Sequence, residues 1–216
     1  METKPTRARL GACLLAWIVG LTGVPLSGAG DLEPSAPPGP TMKTLDEVEP
    51  RTPIPGSDTP TPTFMINQSG SYYLTGDRMC SSRGIEVFAD NVTIDLMGYS
   101  LIGSGASDGI YMTNRRNVEV RNGTIRDFDT YGIYDGHNTG KAHRIINVRV
   151  LANGYDGIVL NGDGMLVKDC TVAENGNQGI DVDDGSTVTG NVACGNGSDG
   201  INAGEGSTVT GNAAHE

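Results

Sequence analysis

GIDVDDGSTVTGNVACGNGSDGINAGEGSTVTGN, residues 179–212, is the stretch that decides the fold. GSTVTGN occupies 185–191 and returns, letter for letter, at 206–212. The dipeptide Gly-Ile opens each unit, and it recurs upstream at Gly84-Ile85, Gly109-Ile110, Gly132-Ile133 and Gly157-Ile158. With Gly179-Ile180 and Gly200-Ile201 the successive spacings are 25, 23, 25, 22 and 21, which makes an internal repeat.

The residues two positions beyond each Ile are Val87, Met112, Asp135, Leu160, Val182 and Ala203, five of them apolar at strand alternation. Further apolar columns stand seven residues before the Gly, at Ile125, Val150, Val172 and Ala193, and twelve before, at Val120, Ile145, Val167 and Val188. Three short strands per unit, joined by tight turns, make one rung of a parallel β-helix. Rungs stack at about 4.8 Å, so residues one period apart lie above one another. The expected fold is all-β, a single-stranded parallel solenoid of about six to seven rungs of 21–25 residues. Asn-Gly at 153, 175 and 196 predicts an Asn ladder at a turn, with the Gly at positive φ. A leucine-rich repeat has a similar period, but its Leu-x-x-Leu-x-Leu frame is missing.

Composition agrees with this reading. The chain has 32 glycines in 216 residues and only 5% aromatic residues, against a helical bundle. A formal charge of -11 sets nucleic acid aside as a partner. All eleven prolines lie at or before Pro62, which divides the chain. Residues 1–29 carry Lys4, Arg7 and Arg9, then an apolar run at 10–21 and small residues at 27–29, the pattern of a secretory signal peptide. Residues 30–62 read as a Pro/Thr/Ser-rich linker and 63–216 as the solenoid. No membrane span is expected after signal cleavage, and the expected location is secreted, periplasmic or cell-surface. The final GNAAHE stops within a rung, so a truncated frame or an end-to-end homodimer is expected there. Cys80, Cys170 and Cys194 lack zinc spacing, and Cys170 and Cys194 fall out of register for a disulfide.

The segments NVTIDLMGYSLIG (91–103), NVEVRNGTI (117–125) and GSTVTGNVACGNGSDGI resemble the right-handed parallel β-helix repeat proteins of the pectin-lyase-like superfamily, including NosD-like secreted proteins. FMINQSGSYYLTGD resembles the entry strand of such a helix. The resemblance implies right-handed coiling and an activity drawn from lyases, hydrolases, epimerases and adhesins. Gly136-His137-Asn138 departs from the Gly-His-Gly of polygalacturonases, and no Arg-x-Lys is present. Residues 131–137, YGIYDGH, approach the Tyr-Gly-x-Asp-Pro-His motif of alginate C5-epimerases with one residue inserted, which would make Tyr131, Asp135 and His137 the reacting groups. Copper handling of the NosD kind is disfavoured, with only His137, His143 and His215 to serve it.

Comparing rungs by offset from Gly-Ile nominates a site. Tyr111 and Tyr134 become stacked neighbours on an outer face, suited to sugar rings. An ordinary cross-strand aromatic pair is the competing reading. His137, Asp163 and Asp184 fall in turns of consecutive rungs and are the candidate catalytic residues for a polysaccharide lyase, hydrolase or epimerase. Asp-Gly turn chemistry explains the two Asp equally well. Arg115, Arg116 and Lys141 lie in a basic belt fit for an acidic polysaccharide, and Asp181 and Asp183 for calcium. Cross-rung pairing, such as Asp95 with Arg121 and Glu119 with Arg144, is the structural alternative for the belt. The functional expectation is therefore binding or processing of a polysaccharide or cell-surface glycan along an outer groove; the alternative is a noncatalytic adhesive solenoid.

Overall fold

A computed structural model describes residues 50–215 apart from the side chain of Asn138. The expected signal peptide and the first part of the expected linker lie outside the described residues. All 21 elements among the described residues are β-strands, and every pairing is parallel to a strand one rung away. They form three faces of a solenoid.

The Ile face holds seven strands: Phe64–Ile66, Ile85–Val87, Ile110–Met112, Ile133–Lys141, Ile158–Asp163, Ile180–Val182 and Ile201–Ala203. Its register is that of the Gly-Ile repeat, with Ile85, Ile110, Ile133, Ile158, Ile180 and Ile201 paired in succession. The second face runs from Arg51–Ile54 through Gly70–Leu74, Val92–Asp95 and on to Thr208–Thr210. The third runs from Ser57–Thr61 through Arg78–Cys80 and Ser100–Gly103 to Ala213–His215. In Val118–Arg126 and Arg144–Leu151 one strand serves both of these faces by bending at Asn122 and Asn147.

Left-handed residues turn many of the corners. Between the Ile face and the second face they include Asn91, Asn117 and Ala142; between the second and third, Asn122, Asn147 and Asp169; between the third and the Ile face, Ala152 and Glu174. In the Asn ladder the left-handed residue is thus the one before the Asn, and Gly154 and Gly176 are glycine for another reason. A Cβ on either would collide with the carbonyl oxygen of Asp129 or Gly154 in the adjacent rung. Close backbone approach, and not positive φ, sets these positions.

The residue after the left-handed one points inward and stitches rungs together. Asn175 Oδ1 accepts from Asn153 N (3.1 Å) and Nδ2 (2.9 Å), and Asn196 Oδ1 repeats both contacts with Asn175. Ile, Val and Leu from the three faces fill the interior between these polar columns.

The chain departs from the expected linker boundary. Arg51–Ile54 pairs with Gly70–Leu74, and Ser57–Thr61 pairs with Arg78–Cys80, so among the described residues the solenoid already includes residues 51–61, ahead of the expected boundary at 63. These two strands have a ladder partner on one side only among the described residues, which lets Pro53 and Pro60 stand in them. Arg78, buried, closes this rung by donating to the Pro55 and Pro62 carbonyls (2.9 and 2.7 Å). Cys80, Cys170 and Cys194 are free, and burial pushes the Cys170 thiol up to about 11.

Candidate functional site

The outer side of the Ile face carries a row of aromatic rings. Alternation turns Ile133 and Asp135 inward and Tyr134 outward. Tyr111 and Tyr134 are register partners with ring centroids 5.8 Å apart, as the repeat predicts. The row extends further. Tyr131, three residues before Tyr134 on the same rung, stacks on it face to face at 4.1 Å with an interplanar angle of 8°. Tyr155 of the next rung meets Tyr131 edge-on at 5.5 Å and is 48% exposed. At the other end the Arg83 guanidinium lies 3.7 Å from the Tyr111 ring centroid, held by Asp108 (3.0 Å) and Glu86 (2.9 Å). Four tyrosines and one stacked arginine thus form a continuous platform across rungs.

Carboxylates border the platform. Asp108 and Asp156 occupy the position before Gly in Gly-Ile and are almost fully buried. Asp156 Oδ1 accepts from Gln178 N and Asn177 Nδ2, each at 2.7 Å. Burial raises the Asp156 carboxyl above its ordinary value, against the pull of these two bonds. Asp181, on the next rung, is raised by burial and by the neighbouring Asp156 and Asp183. Burial also raises the Tyr131 and Tyr134 hydroxyls, so both rings stay neutral at physiological pH.

Of the three candidate catalytic residues, His137 falls out of register, whereas the Asp163 and Asp184 turns stay stacked, with Gly164 N donating to the Asp184 carbonyl at 3.3 Å. Gly140 pairs with Gly162 and Lys141 with Asp163, after a break in register between Asp135 and Gly140. Residues 136–139 are an outward bulge, so Lys141, and not His137, stands beside Asp163, with Nζ to Oδ2 at 3.1 Å. His137 is exposed on the bulge. Asp184 is an exposed turn residue whose Oδ1 accepts from Glu205 N at 2.7 Å. A constant offset from Gly-Ile cannot hold through such an insertion. The epimerase-like reading fails at Asp135, which is 0% exposed and faces the interior.

The belt is largely neutralised as the structural alternative has it: Arg121 Nε meets Asp95 Oδ2 at 3.0 Å and Arg144 meets Glu119 Oε2 at 3.2 Å. Arg115 donates to the Thr113 and Phe88 carbonyls (both 2.8 Å), and Arg116 forms an isolated bridge with Lys141. These three cations sit at the corner after the Ile face, beside the platform and not on it. The pair proposed for calcium is a poor donor set. Asp183 Oδ2 accepts from Gly162 N (2.8 Å), Asp181 Oδ1 accepts from Asn202 Nδ2 (2.8 Å), and among the described residues no three His, Cys, Asp or Glu side chains gather at metal-binding spacing.

Parallel rungs stacked in register make the chain a β-solenoid, and the family model described as "Right handed beta helix region" matches residues 65–214. The chain belongs to this right-handed β-helix family. No curated protein and no solved structure gives a significant match. Within the right-handed β-helix the coil direction follows the right-handed twist of parallel strands.

Proposed function

We propose that this right-handed β-helix is an exported glycan-binding protein whose tyrosine row stacks against sugar rings of a polysaccharide or cell-surface glycan. The observation that supports it most is the stacked Tyr131–Tyr134 pair, continued by Tyr111 and Tyr155 across three rungs. A sugar ring presents an apolar face to such rings, and Asp181 and Arg83 at the border supply hydrogen-bonding groups for its hydroxyls. The basic, then apolar, then small-residue pattern of positions 1–29 supports export. Binding without bond cleavage is favoured because the bulge takes His137 out of register with Asp163, whose carboxylate pairs with Lys141 instead.

The test is a glycan array followed by incubation of the bound glycans with the protein and assay of reducing ends and unsaturated products. Retention without product supports the reading. Failure to retain any glycan refutes it, and product release makes the chain an enzyme.

A further inference from the structure

The corner between the second and third faces carries a groove of about 430 Å³, away from the tyrosine row, spanning the rungs from Gly98 to Thr171. Its floor follows from the backbone. Asn122, Asn147 and Asp169 are the left-handed residues of this corner, with φ of 59°, 54° and 54°. That conformation aligns their side chains on one outward line. Asn147 Nδ2 donates to Asn122 Oδ1 (3.1 Å) and Asn122 Nδ2 to Asp95 Oδ1 (3.2 Å), making an amide ladder along the groove that ends on the Asp95 carboxylate.

Arg149 stands on the wall between register partners Thr124 and Thr171. The side chain is exposed, its hydrogen bond within the described residues runs from Nε to Thr124 Oγ1 at 3.1 Å, and its terminal nitrogens have no hydrogen bond or ion pair among those residues. Arg121 and Arg144 of the same faces are, in contrast, held by Asp95 and Glu119. Asp169 is the one carboxylate lining the groove, and Lys168 Nζ meets its Oδ2 at 2.6 Å. The groove therefore combines one uncompensated, pre-oriented guanidinium with amide and hydroxyl donors and acceptors on neighbouring rungs. Guanidinium binds planar or tetrahedral oxyanions through two parallel hydrogen bonds, and amides and hydroxyls match the hydroxyls of a sugar.

We propose that this corner groove is a second ligand site, independent of the tyrosine row, that takes a carboxylate or sulfate ester on a polyhydroxylated ligand, with Arg149 as the anion anchor. A nitrogen-resolved chemical-shift titration of the full chain with glucuronate, glucose 6-sulfate and glucose tests it, read at the Arg149 and Asn147 side-chain signals. At least one of the two anions shifts these signals saturably and binds about tenfold or more tighter than glucose. Glucuronate alone identifies the carboxylate and glucose 6-sulfate alone the sulfate ester. Arg149→Gln weakens that binding about tenfold or more. Thr171→Glu, which places an internal carboxylate beside the guanidinium, does the same with Arg149 retained. Tyr131→Ala leaves it unchanged, which separates this site from the platform. Equal affinity for glucose, no saturable shift with either anion, or full affinity in both groove variants overturns the proposal.

Discussion

His143 and Asp135 face each other across the interior of the solenoid, with Nε2 3.3 Å from Oδ2 and both side chains 0% exposed. His143 Nδ1 accepts the Val118 backbone N–H at 3.1 Å, which puts the proton of the neutral imidazole on Nε2, toward the carboxylate. Neither oxygen of Asp135 nor His143 Nε2 makes a hydrogen bond among the described residues, so this approach is the one polar contact each has there. Losing either member strands the other in an apolar interior. His143→Ala and Asp135→Ala should each lower stability by about 3 kcal/mol or more in urea denaturation. The double replacement should cost clearly less than the sum of the two; strict additivity would deny the coupling.

Asn175 holds two neighbouring rungs at once. Its Oδ1 receives both donors of Asn153, while its Nδ2 reaches Asn196 Oδ1 at 2.9 Å and the Val150 carbonyl at 3.3 Å. Asn175→Ala leaves the buried Asn153 N–H without a partner. The expected loss is on the order of 2–3 kcal/mol, read as a lower urea midpoint with unchanged slope.

Gly157 and Gly185 differ in what a methyl group would meet. At Gly157 an added Cβ overlaps Val172 Cγ1 and lies 2.6 Å from the Gly179 carbonyl oxygen; at Gly185, with φ of 63°, it meets nothing within 4 Å. Gly185→Ala should cost about 1 kcal/mol from the left-handed backbone alone. Gly157→Ala should cost about 2 kcal/mol or more, because rung spacing must yield. Equal losses in thermal unfolding would contradict the close-approach explanation.

The raised Asp156 carboxyl has a signed consequence. The folded chain keeps a proton there at pH values where the unfolded chain, near its ordinary 3.8, has released it. This contribution to stability therefore falls as pH rises through that window, and the cost persists above it. Asp156→Asn should raise stability at pH 7 and flatten the slope across the window. A variant less stable at pH 7 with the slope intact would show that hydrogen bonding, and not desolvation, governs this group.

The Gly-Ile period makes the rungs, the Tyr111–Tyr134 pairing and the Asp95–Arg121 and Glu119–Arg144 pairs legible from residue offsets, because parallel in-register stacking converts period into proximity. The column of Val87, Met112, Leu160, Val182 and Ala203 turns Asp135 inward with it, which the motif resemblance that made Asp135 a reacting group overlooks. Two kinds of fact escape a constant offset. The bulge at residues 136–139 shifts everything after it, which separates His137 from Asp163 and Asp184. Contacts across one rung, such as Tyr131 on Tyr134, depend on how side chains lean over the intervening Gly-Ile, and the pairing period carries no information about that. The first strands were hidden for another reason: their prolines signal a linker unless the strand is known to sit at the end of a solenoid.

The most direct test of the glycan-binding account is the Kd of the intact protein for the glycan it retains best on an array, compared with Tyr131→Ala and Tyr134→Ala. Loss of ring stacking predicts weakening on the order of tenfold in each variant, with melting temperatures showing that the rungs remain folded. Unchanged Kd in both folded variants would contradict the account and leave the tyrosine row as a cross-strand brace for the Ile face.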